Sequence, residues 1–316
     1  MSLTILEPGL ASRIVDAGRP GTRSLGVSVG GAADRRSLAL GNSLVGNSPD
    51  TAALEVALKG PRLRAEADVG CVLFGAPFDA RRDGNPIEIG RTFTLRAGEE
   101  LAVGATRIGA RAYLCVRGGF HVATILGSRS ALEPIRQGEI LKCDASAIEP
   151  RFCPELQMQV PEIWSASALP GLQASWFGEV AFYEQIFTVA PASDRMGLRL
   201  HGRHARPLIM RRQAEARSEV GMPPDEMVSE AVCPGSVQVT RDGQCIVLGV
   251  DGQTIGGYPK IAQVIQADLD FLGQLRPGQS IHFRKVTLCE ATQRDREGQA
   301  TLRAWTLRLR ESVASS

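Results

Sequence analysis

Polar residues set among glycines are concentrated in the second half of this 316-residue sequence. They form three clusters, at residues 193–197, 229–238 and 251–260, and the last ends in Lys260. Glycines let the backbone approach a ligand closely, while amide, hydroxyl and ammonium groups donate hydrogen bonds to carbonyl and carboxylate oxygens. The clusters therefore predict a binding site for a neutral or anionic small molecule, with structural turns as the alternative interpretation.

Other patterns with known chemistry are incomplete. Residues 26–30 match the G-x-S-x-G motif of serine hydrolases, but that motif needs a buried strand before it, and residues 16–22 have the composition of a loop. The four histidines lack the spacing of a metal site, and no P-loop sequence is present. We therefore predict no serine nucleophile, no metal site and no P-loop nucleotide site.

The composition argues against nucleic acid and membranes as partners. The 36 Lys and Arg residues against 34 Asp and Glu residues leave a net charge of +2, too small for a nucleic-acid-binding footprint. No apolar run has the length of a membrane span or a signal peptide. The seven cysteines are widely spaced and form no C-x-x-C pair, which indicates reduced thiols and a cytoplasmic location.

The elements that must position the polar clusters are mainly strands. The 34 glycines and 18 prolines, with only 5% aromatic residues, favour short strands joined by turns. Strands are predicted at residues 71–74, 93–95, 112–116, 185–189, 236–239, 245–250 and 280–288. Tight turns are predicted at Asp83-Gly84 and Asp242-Gly243.

Two segments have a helical pattern. Asp34 is expected to cap a helix over residues 35–45 that ends at Gly46. A second helix is predicted over residues 261–275 from apolar positions spaced three to four apart. Those positions are Ile261, Ile265, Leu269 and Leu272.

A proline-rich passage divides the chain. It carries Pro150, Pro154, Pro161 and Pro170 and separates two strand-rich halves. We predict a mostly-β chain with a few short helices, an N-terminal β module over residues 1–150 and a C-terminal module over residues 151–316. The charged segment 203–228 is expected to be a covering loop.

Longer motifs carry a resemblance to a known family. They include D-A-G-R-P-G at residues 16–21, G-G-A-A-D at 30–34, L-G-S-R-S at 126–130, S-D-R-M-G at 193–197 and G-G-Y-P-K at 256–260. In this order, and over nearly the whole chain, they resemble the biotin-dependent carboxyltransferase family. That family is also called allophanate hydrolase subunit 2 or urea amidolyase-related, and it includes the C subunit of bacterial 5-oxoprolinase.

The resemblance implies tandem cyclophilin-like β-barrel modules and work within a complex. Together with homologues of the A and B subunits, such a complex converts 5-oxo-L-proline to L-glutamate using ATP. No cofactor is expected to be held tightly by this chain: ATP would act elsewhere in the complex, and biotin, if used, would sit on a separate carrier. Assembly of the chain with copies of itself is left open.

Roles for single residues follow from this resemblance. Lys260, interpreted as a lone ammonium at a helix entrance, is predicted to stabilise developing negative charge. Asp194 and Arg195, the other predicted catalytic residues, would form or orient a polar wall, with Arg195 suited to a carboxylate. The predicted substrate-binding residues are Gln253, Thr254, Gly256, Gly257, Tyr258, Glu230, Gln238 and Asp34.

Two alternative functions remain open at this point. The first is carboxyl transfer to a small amide, as in urea carboxylase. The second is a non-catalytic regulatory role, in which the chain pairs with a homologue of the B subunit, of the type that binds a sensor kinase.

Overall fold

The computed structural model describes residues 1–156, 158, 161–177, 182–202 and 227–314. The chain divides into two compact units that do not follow chain order. Unit 1 comprises Met1–Arg19, Gly30–Val160 and Ala300–Ser316, and unit 2 comprises Pro20–Val29 and Pro161–Gln299. These units differ from a division into residues 1–150 and 151–316, because residues 20–29 belong to unit 2 and residues 151–160 and 300–316 belong to unit 1. The loop predicted at 203–228 lies, up to residue 226, outside the described residues.

Unit 1 contains two antiparallel sheets. Its strands are β1 (Ser2–Glu7), β2 (Arg13–Val15), β3 (Ala53–Ala57), β4 (Arg62–Ala65), β5 (Val69–Gly75), β6 (Phe78–Arg82), β7 (Asn85–Pro86), β8 (Phe93–Leu95), β9 (Glu100–Thr106), β10 (Arg111–Val116) and β11 (Ile140–Lys142). One sheet has the strand order β11-β1-β4-β9-β6-β7 and the other the order β2-β3-β10-β5-β8. The turn predicted at Asp83-Gly84 is confirmed, because it joins β6 to β7.

The first predicted helix is confirmed as α1 (Arg35–Leu44). The Asp34 carboxylate accepts a hydrogen bond from the backbone N–H of Ser37 at 2.9 Å, as an N-cap residue does. Beyond the last turn, Gly46 has a φ of +82°, a conformation that glycine adopts without strain. Apolar residues of α1 pack with residues of the five-stranded sheet in one buried cluster.

Unit 2 is built around a closed barrel. Its strands are β12 (Ile163–Pro170), β13 (Ile186–Val189), β14 (Gly197–Gly202), β15 (Glu230–Ala231), β16 (Ser236–Val239), β17 (Cys245–Leu248), β18 (Ile255–Gly256), β19 (Lys260–Val264) and β20 (Ser280–Lys285). Seven of them close in the order β12-β19-β16-β17-β14-β13-β20, with β12 and β20 parallel, and β15 pairs with β18 in a separate two-stranded ribbon. The mostly-β class is confirmed. The closed barrel lies in unit 2, and the described strands of unit 1 form two sheets.

The helix predicted over residues 261–275 is wrong for most of its length. The segment begins as strand β19, continues as a single 3-10 turn at Gln266–Asp268, and is α-helical only in α2 (Leu269–Leu272). A short segment that is buried on both faces has no reliable hydrophobic period, and Lys260–Val264 is such a segment, with four of its five residues buried. Strand pairing on both sides therefore overrides the apparent helical spacing.

A third helix, α3 (Leu288–Ala314), was not anticipated from the sequence. It begins with a capping box: the Thr287 hydroxyl accepts from the N–H of Glu290 at 3.2 Å, and the Glu290 carboxylate accepts from the N–H of Thr287 at 2.7 Å. By compact unit, its residues up to Gln299 belong to unit 2 and those from Ala300 to unit 1. None of the described helices combines the length and apolar character that crossing a bilayer requires.

All seven cysteines are free thiols in the structure. Four of them, Cys71, Cys115, Cys143 and Cys245, are buried. Burial raises the pKa of these four thiols, to about 12 for Cys245, so that they remain protonated and pack as small apolar residues.

Candidate functional site

An ion pair between Lys260 and Glu230 forms the centre of the candidate site. Lys260 is the first residue of β19, and Glu230 comes from the ribbon strand β15. The Lys260 side chain is only 7% exposed, whereas the Glu230 side chain is 41% exposed. The hydrogen bond from Lys260 holds the pKa of Glu230 below its usual value, so Glu230 is a carboxylate at neutral pH.

This geometry corrects the expectation for Lys260. The residue does not stand at a helix entrance, because the chain after it is a strand, and its ammonium is not alone. A backbone donor array at a helix start is therefore not part of this site. What remains is an enclosed ammonium whose partner carboxylate partly faces solvent.

Gln173 joins both members of the ion pair and was missed in the sequence. Its side-chain amide donates to the Glu230 carboxylate at 3.2 Å and accepts from the backbone N–H of Lys260 at 3.0 Å. Gln173 is 6% exposed and lies in the turn after β12, far from the three polar clusters in sequence. No pattern in the sequence marks it, because its role depends on the pairing of β12 with β19.

Gln238 lies directly opposite Lys260 on the neighbouring strand β16. The strand register is interrupted between Val237 and Gln238, and such irregularities re-aim side chains next to functional sites. Gln238 is completely buried, and its side-chain oxygen accepts from the Gln253 amide at 3.2 Å. Its Nε2 is buried without a hydrogen-bond partner among the described residues, an arrangement that costs free energy unless a ligand group completes it.

Gly256 makes room for the Gln238 amide. It pairs with Glu230 across the ribbon, and a Cβ atom at its position would lie 2.4 Å from Nε2 of Gln238. A close approach of backbone to side chain thus explains the first glycine of the pair. A Cβ at Gly257 would meet its nearest neighbour at 3.4 Å, an ordinary contact, so steric constraint does not explain the second glycine.

Two other predicted binding residues border this cluster. Thr254 is half-buried, and its carbonyl accepts from the N–H of Val232 at 3.0 Å. Tyr258 is 41% exposed. Their predicted contacts with a substrate remain predictions.

Arg195 forms an ion pair with the Asp251 carboxylate of the same chain. Its guanidinium forms a two-point contact with Asp251, at 2.7 Å from Nε and 2.9 Å from Nη2. The neighbouring Asp194 carboxylate accepts from the backbone N–H groups of Met196 and Gly197 at 2.8 and 3.2 Å. This contact holds Arg195 against the loop that carries Gln253. The polar wall predicted for Asp194 and Arg195 remains a prediction.

Asp34 belongs to unit 1, whereas the other predicted site residues belong to unit 2. It is 5% exposed, and its carboxylate is used by the backbone N–H and the hydroxyl of Ser37 at the start of α1. Helix capping accounts for this residue, and a substrate contact for it remains a prediction.

Arg23 is the second residue that sequence reasoning missed. It lies in a 3-10 turn, Thr22–Leu25, within the N-terminal segment that belongs to unit 2. Its Nη2 donates to the carbonyl oxygens of Val232 and Gln253, the latter at 2.7 Å. Its Nη1 is buried and has no hydrogen-bond partner among the described residues.

The arrangement is suited to binding oxygen acceptors. Amide, ammonium and guanidinium donors surround the ribbon, and two of them are incompletely bonded. Within the described part of the chain, no group of three or more His, Cys, Asp or Glu side chains could hold a metal ion. Carbonyl and carboxylate groups are the complementary ligands.

Comparison with known proteins identifies relatives of two kinds. The model of the family described as "Carboxyltransferase domain, subdomain A and B" matches residues 25–285. The C subunit of the 5-oxoprolinase of Escherichia coli (strain K12) is 34% identical over 320 residues, which cover 96% of this chain and 98% of that protein. The urea amidolyase of Saccharomyces cerevisiae is 29% identical, over 89% of this chain but only 16% of that protein.

A solved structure shows the same fold. The Kluyveromyces lactis urea carboxylase superposes with a TM-score of 0.86 and 26% sequence identity. The match covers 96% of this chain and 29% of that chain. The chain thus corresponds to a whole subunit in one group of relatives and to a fraction of a much longer protein in the other.

Proposed function

Because the chain belongs to the carboxyltransferase-domain family that includes the C subunit of 5-oxoprolinase, we propose that it is the C subunit of an ATP-dependent 5-oxoprolinase. Such an enzyme opens the cyclic amide of 5-oxo-L-proline to give L-glutamate. The observation that carries the proposal is the match to the Escherichia coli protein over 98% of its length. The donor-rich ribbon in unit 2 supports it, since a cyclic amide presents a carbonyl oxygen to such donors.

Gln238 and Lys260 are the residues proposed to act on the amide. They face each other across β16 and β19, so their side chains share one face of the barrel wall. The unpartnered Nε2 of Gln238 would donate to the amide oxygen, and Gln253 would hold the Gln238 side chain in place. Lys260 would stabilise the negative charge that develops on that oxygen when the ring amide is attacked.

Glu230 and Gln173 are proposed to position Lys260. The Glu230 carboxylate holds the ammonium, and Gln173 bonds both the carboxylate and the backbone of Lys260. A neutral pair of this kind keeps the ammonium enclosed without an uncompensated buried charge. Thr254 and Tyr258 border the same ribbon and are kept as substrate-binding candidates.

ATP and the other subunits are proposed to complete the reaction. The sequence has no P-loop, so we assign ATP, which would activate the amide by phosphoryl transfer, to homologues of the A and B subunits. Two relatives are named as one lettered subunit of an enzyme, which supports a complex of several different chains. We place this complex in the cytoplasm, in keeping with seven free cysteines.

Carboxyl transfer to a small amide is the second candidate function. The close superposition on urea carboxylase favours it. Carboxylated biotin on a separate carrier would then supply the carboxyl group, and the donors of Gln238 and Arg23 suit its carboxylate and ureido oxygens. The two candidates differ in the substrate, because 5-oxo-L-proline carries a carboxylate and urea is neutral.

The decisive experiment is co-expression of this chain with homologues of the A and B subunits. We expect the purified complex to release L-glutamate from 5-oxo-L-proline only when ATP is present. A stable complex that turns over urea with carboxylated biotin, and not 5-oxo-L-proline, would replace the proposal by the second candidate. A stable complex that turns over neither substrate would favour a regulatory role.

A further inference from the structure

The charged side chains around the ribbon, as far as the structure describes them, leave one positive charge without a carboxylate partner. Lys260 is paired with Glu230, and Arg195 is paired with Asp251, so each pair is neutral as a unit. Arg23 also reaches this region, but it contacts carbonyl oxygens and no carboxylate among the described residues. Among the described residues, one positive charge is therefore left for an anionic ligand.

The contacts of Arg23 fix its guanidinium and leave one end of it open. Nη2 bonds two backbone carbonyls from different loops, those of Val232 and Gln253, which sets the plane of the group. Nη1 is buried and unpartnered among the described residues. A buried charged donor without an acceptor is costly, and the planar guanidinium fork matches a carboxylate well.

Gln253 connects this guanidinium to the amide donor already described. Its backbone carbonyl accepts from Arg23, and its side chain donates to Gln238. Arg23 and Gln238, which each carry one incompletely bonded donor, thus both hydrogen-bond to the same residue. A ligand that completes both donors needs two oxygen acceptors, of which a carboxylate suits the guanidinium and a carbonyl oxygen suits the amide.

We propose that Arg23 binds the carboxylate of the substrate while Gln238 binds its amide oxygen, so that Arg23 makes the site selective for an anionic lactam over a neutral amide. This inference rests on the proposed function and deepens it. 5-Oxo-L-proline has both groups on one ring, whereas urea has the carbonyl alone. In this proposal Arg23 binds the carboxylate, a role for which the sequence had suggested Arg195.

The test compares two substrates in the co-expressed complex: 5-oxo-L-proline and its neutral analogue 5-oxo-L-prolinamide. In the Arg23→Gln variant we expect KM for 5-oxo-L-proline to rise roughly 10- to 100-fold, the usual effect of losing a charge-assisted hydrogen bond, with kcat nearly unchanged. KM for the neutral analogue should change less than about threefold, because it makes no ionic contact with Arg23. Arg23→Lys, which keeps the charge but not the fork, should be intermediate.

The matched control is Arg241→Gln. Arg241 is an exposed arginine at the turn between β16 and β17, and its replacement removes the same charge from the same barrel. It should leave both KM values unchanged. An equal rise for both substrates in Arg23→Gln would overturn the proposal, since it would mean that Arg23 only holds the loops or binds a carboxylate brought by a carrier.

A binding measurement separates failure of this inference from failure of the proposed function. The full-length chain is titrated with 5-oxo-L-proline and with 5-oxo-L-prolinamide, and ligand binding is followed by NMR. Preference for the anion in the wild type, lost in Arg23→Gln, supports the inference even if the complex hydrolyses neither compound. Equal affinity of the wild type for both compounds overturns it even if the complex is an active 5-oxoprolinase.

Discussion

Asp16 in unit 1 and Glu230 in unit 2 are both carboxylates with a lowered pKa, but their surroundings differ. Burial raises the pKa of Asp16, and hydrogen bonds from Ser128, Ser130 and two backbone N–H groups more than offset this. The two hydroxyls lie 2.6 and 2.7 Å from Oδ1 of Asp16. These donors are neutral, and they join two loops that lie far apart in sequence.

Glu230 instead owes its lowered pKa first to the ammonium of Lys260. Its carboxylate stays partly open to solvent, and the neighbouring Gln238 keeps an unpartnered donor. The donors of the Asp16 cluster bond to the Asp16 carboxylate, whereas the Glu230 cluster contains a donor, Nε2 of Gln238, without an acceptor among the described residues. The contrast teaches that a family motif such as D-A-G-R-P-G can be explained by loop architecture, while an incompletely bonded cluster indicates a ligand.

The largest effect is expected from removing the ammonium of Lys260 in the Glu230 cluster. Lys260→Met keeps most of the packing of the side chain but removes its charge. We expect kcat of the co-expressed complex to fall about 100-fold or more, because stabilisation of the developing oxyanion is lost. Stability should change little, since the Glu230 side chain is 41% exposed and can be solvated. Steady-state kinetics and thermal unfolding measure the two quantities.

Lys285→Met is the matched control, since Lys285 is an exposed lysine on β20 of the same barrel. It should leave kcat unchanged. A Lys260→Met variant with wild-type kcat would remove Lys260 from the mechanism and would make the Glu230 cluster as structural as that of Asp16.

The next-largest effect is expected in the Asp16 cluster, and it is an effect on the stability of the fold. Asp16→Asn should lower the free energy of unfolding at neutral pH by about 1–3 kcal/mol, because an amide replaces a carboxylate that accepts several hydrogen bonds. KM for the substrate should not change. Urea denaturation measures the first quantity and steady-state kinetics the second.

The pH dependence of that loss has a definite sign. The pKa of Asp16 is lower in the folded than in the unfolded chain, so its carboxylate stabilises the fold above the unfolded pKa of about 4. The stabilisation disappears as pH falls through the folded pKa. The difference between wild type and Asp16→Asn should therefore be constant near neutral pH and shrink below about pH 4. A difference that grows on acidification would contradict this account.

The smallest effect is expected at Gly256. In Gly256→Ala the added methyl would lie 2.4 Å from Nε2 of Gln238, so the Gln238 amide would have to move. Displacement of the Gln238 amide should raise KM about tenfold, the loss expected for one hydrogen bond of about 1.4 kcal/mol. Gly298→Ala in α3 is the control, because nothing lies within 4 Å of the added methyl. Equal KM values for both variants would show that Gln238 does not touch the substrate.

Much of the fold was predictable because its signals are local. Helix α1 was located from its cap Asp34 and its terminator Gly46, and strands such as β10 and β16 from short apolar runs between turns. The capping box at Thr287 and Glu290 was an available but unused signal for α3. The polar sequence of that helix concealed it, since only a few positions, among them Leu302, Trp305 and Leu309, pack on a core.

The site was predictable in its residue types but not in its pairings. The sequence places Lys260, Gln253 and Glu230 in three glycine-rich clusters, yet it does not show that Lys260 binds Glu230 or that Arg195 binds Asp251. Ion pairs between residues far apart in sequence depend on how the strands of the barrel and of the β15-β18 ribbon pair and on where their loops lie. For the same reason no local pattern marks Gln173 or Arg23, whose partners lie 57 to 230 residues away.

The assignment of residues 20–29 to unit 2 has a consequence for how the protein is made. Arg23 leaves the ribosome before any strand of the barrel has been synthesised, and its two carbonyl partners lie 209 and 230 residues later in the chain. Closing contacts of such large sequence separation is slow, because the entropy of a long loop is lost before any contact is gained. The two hydrogen bonds of the Arg23 guanidinium therefore cannot both form before translation has passed Gln253.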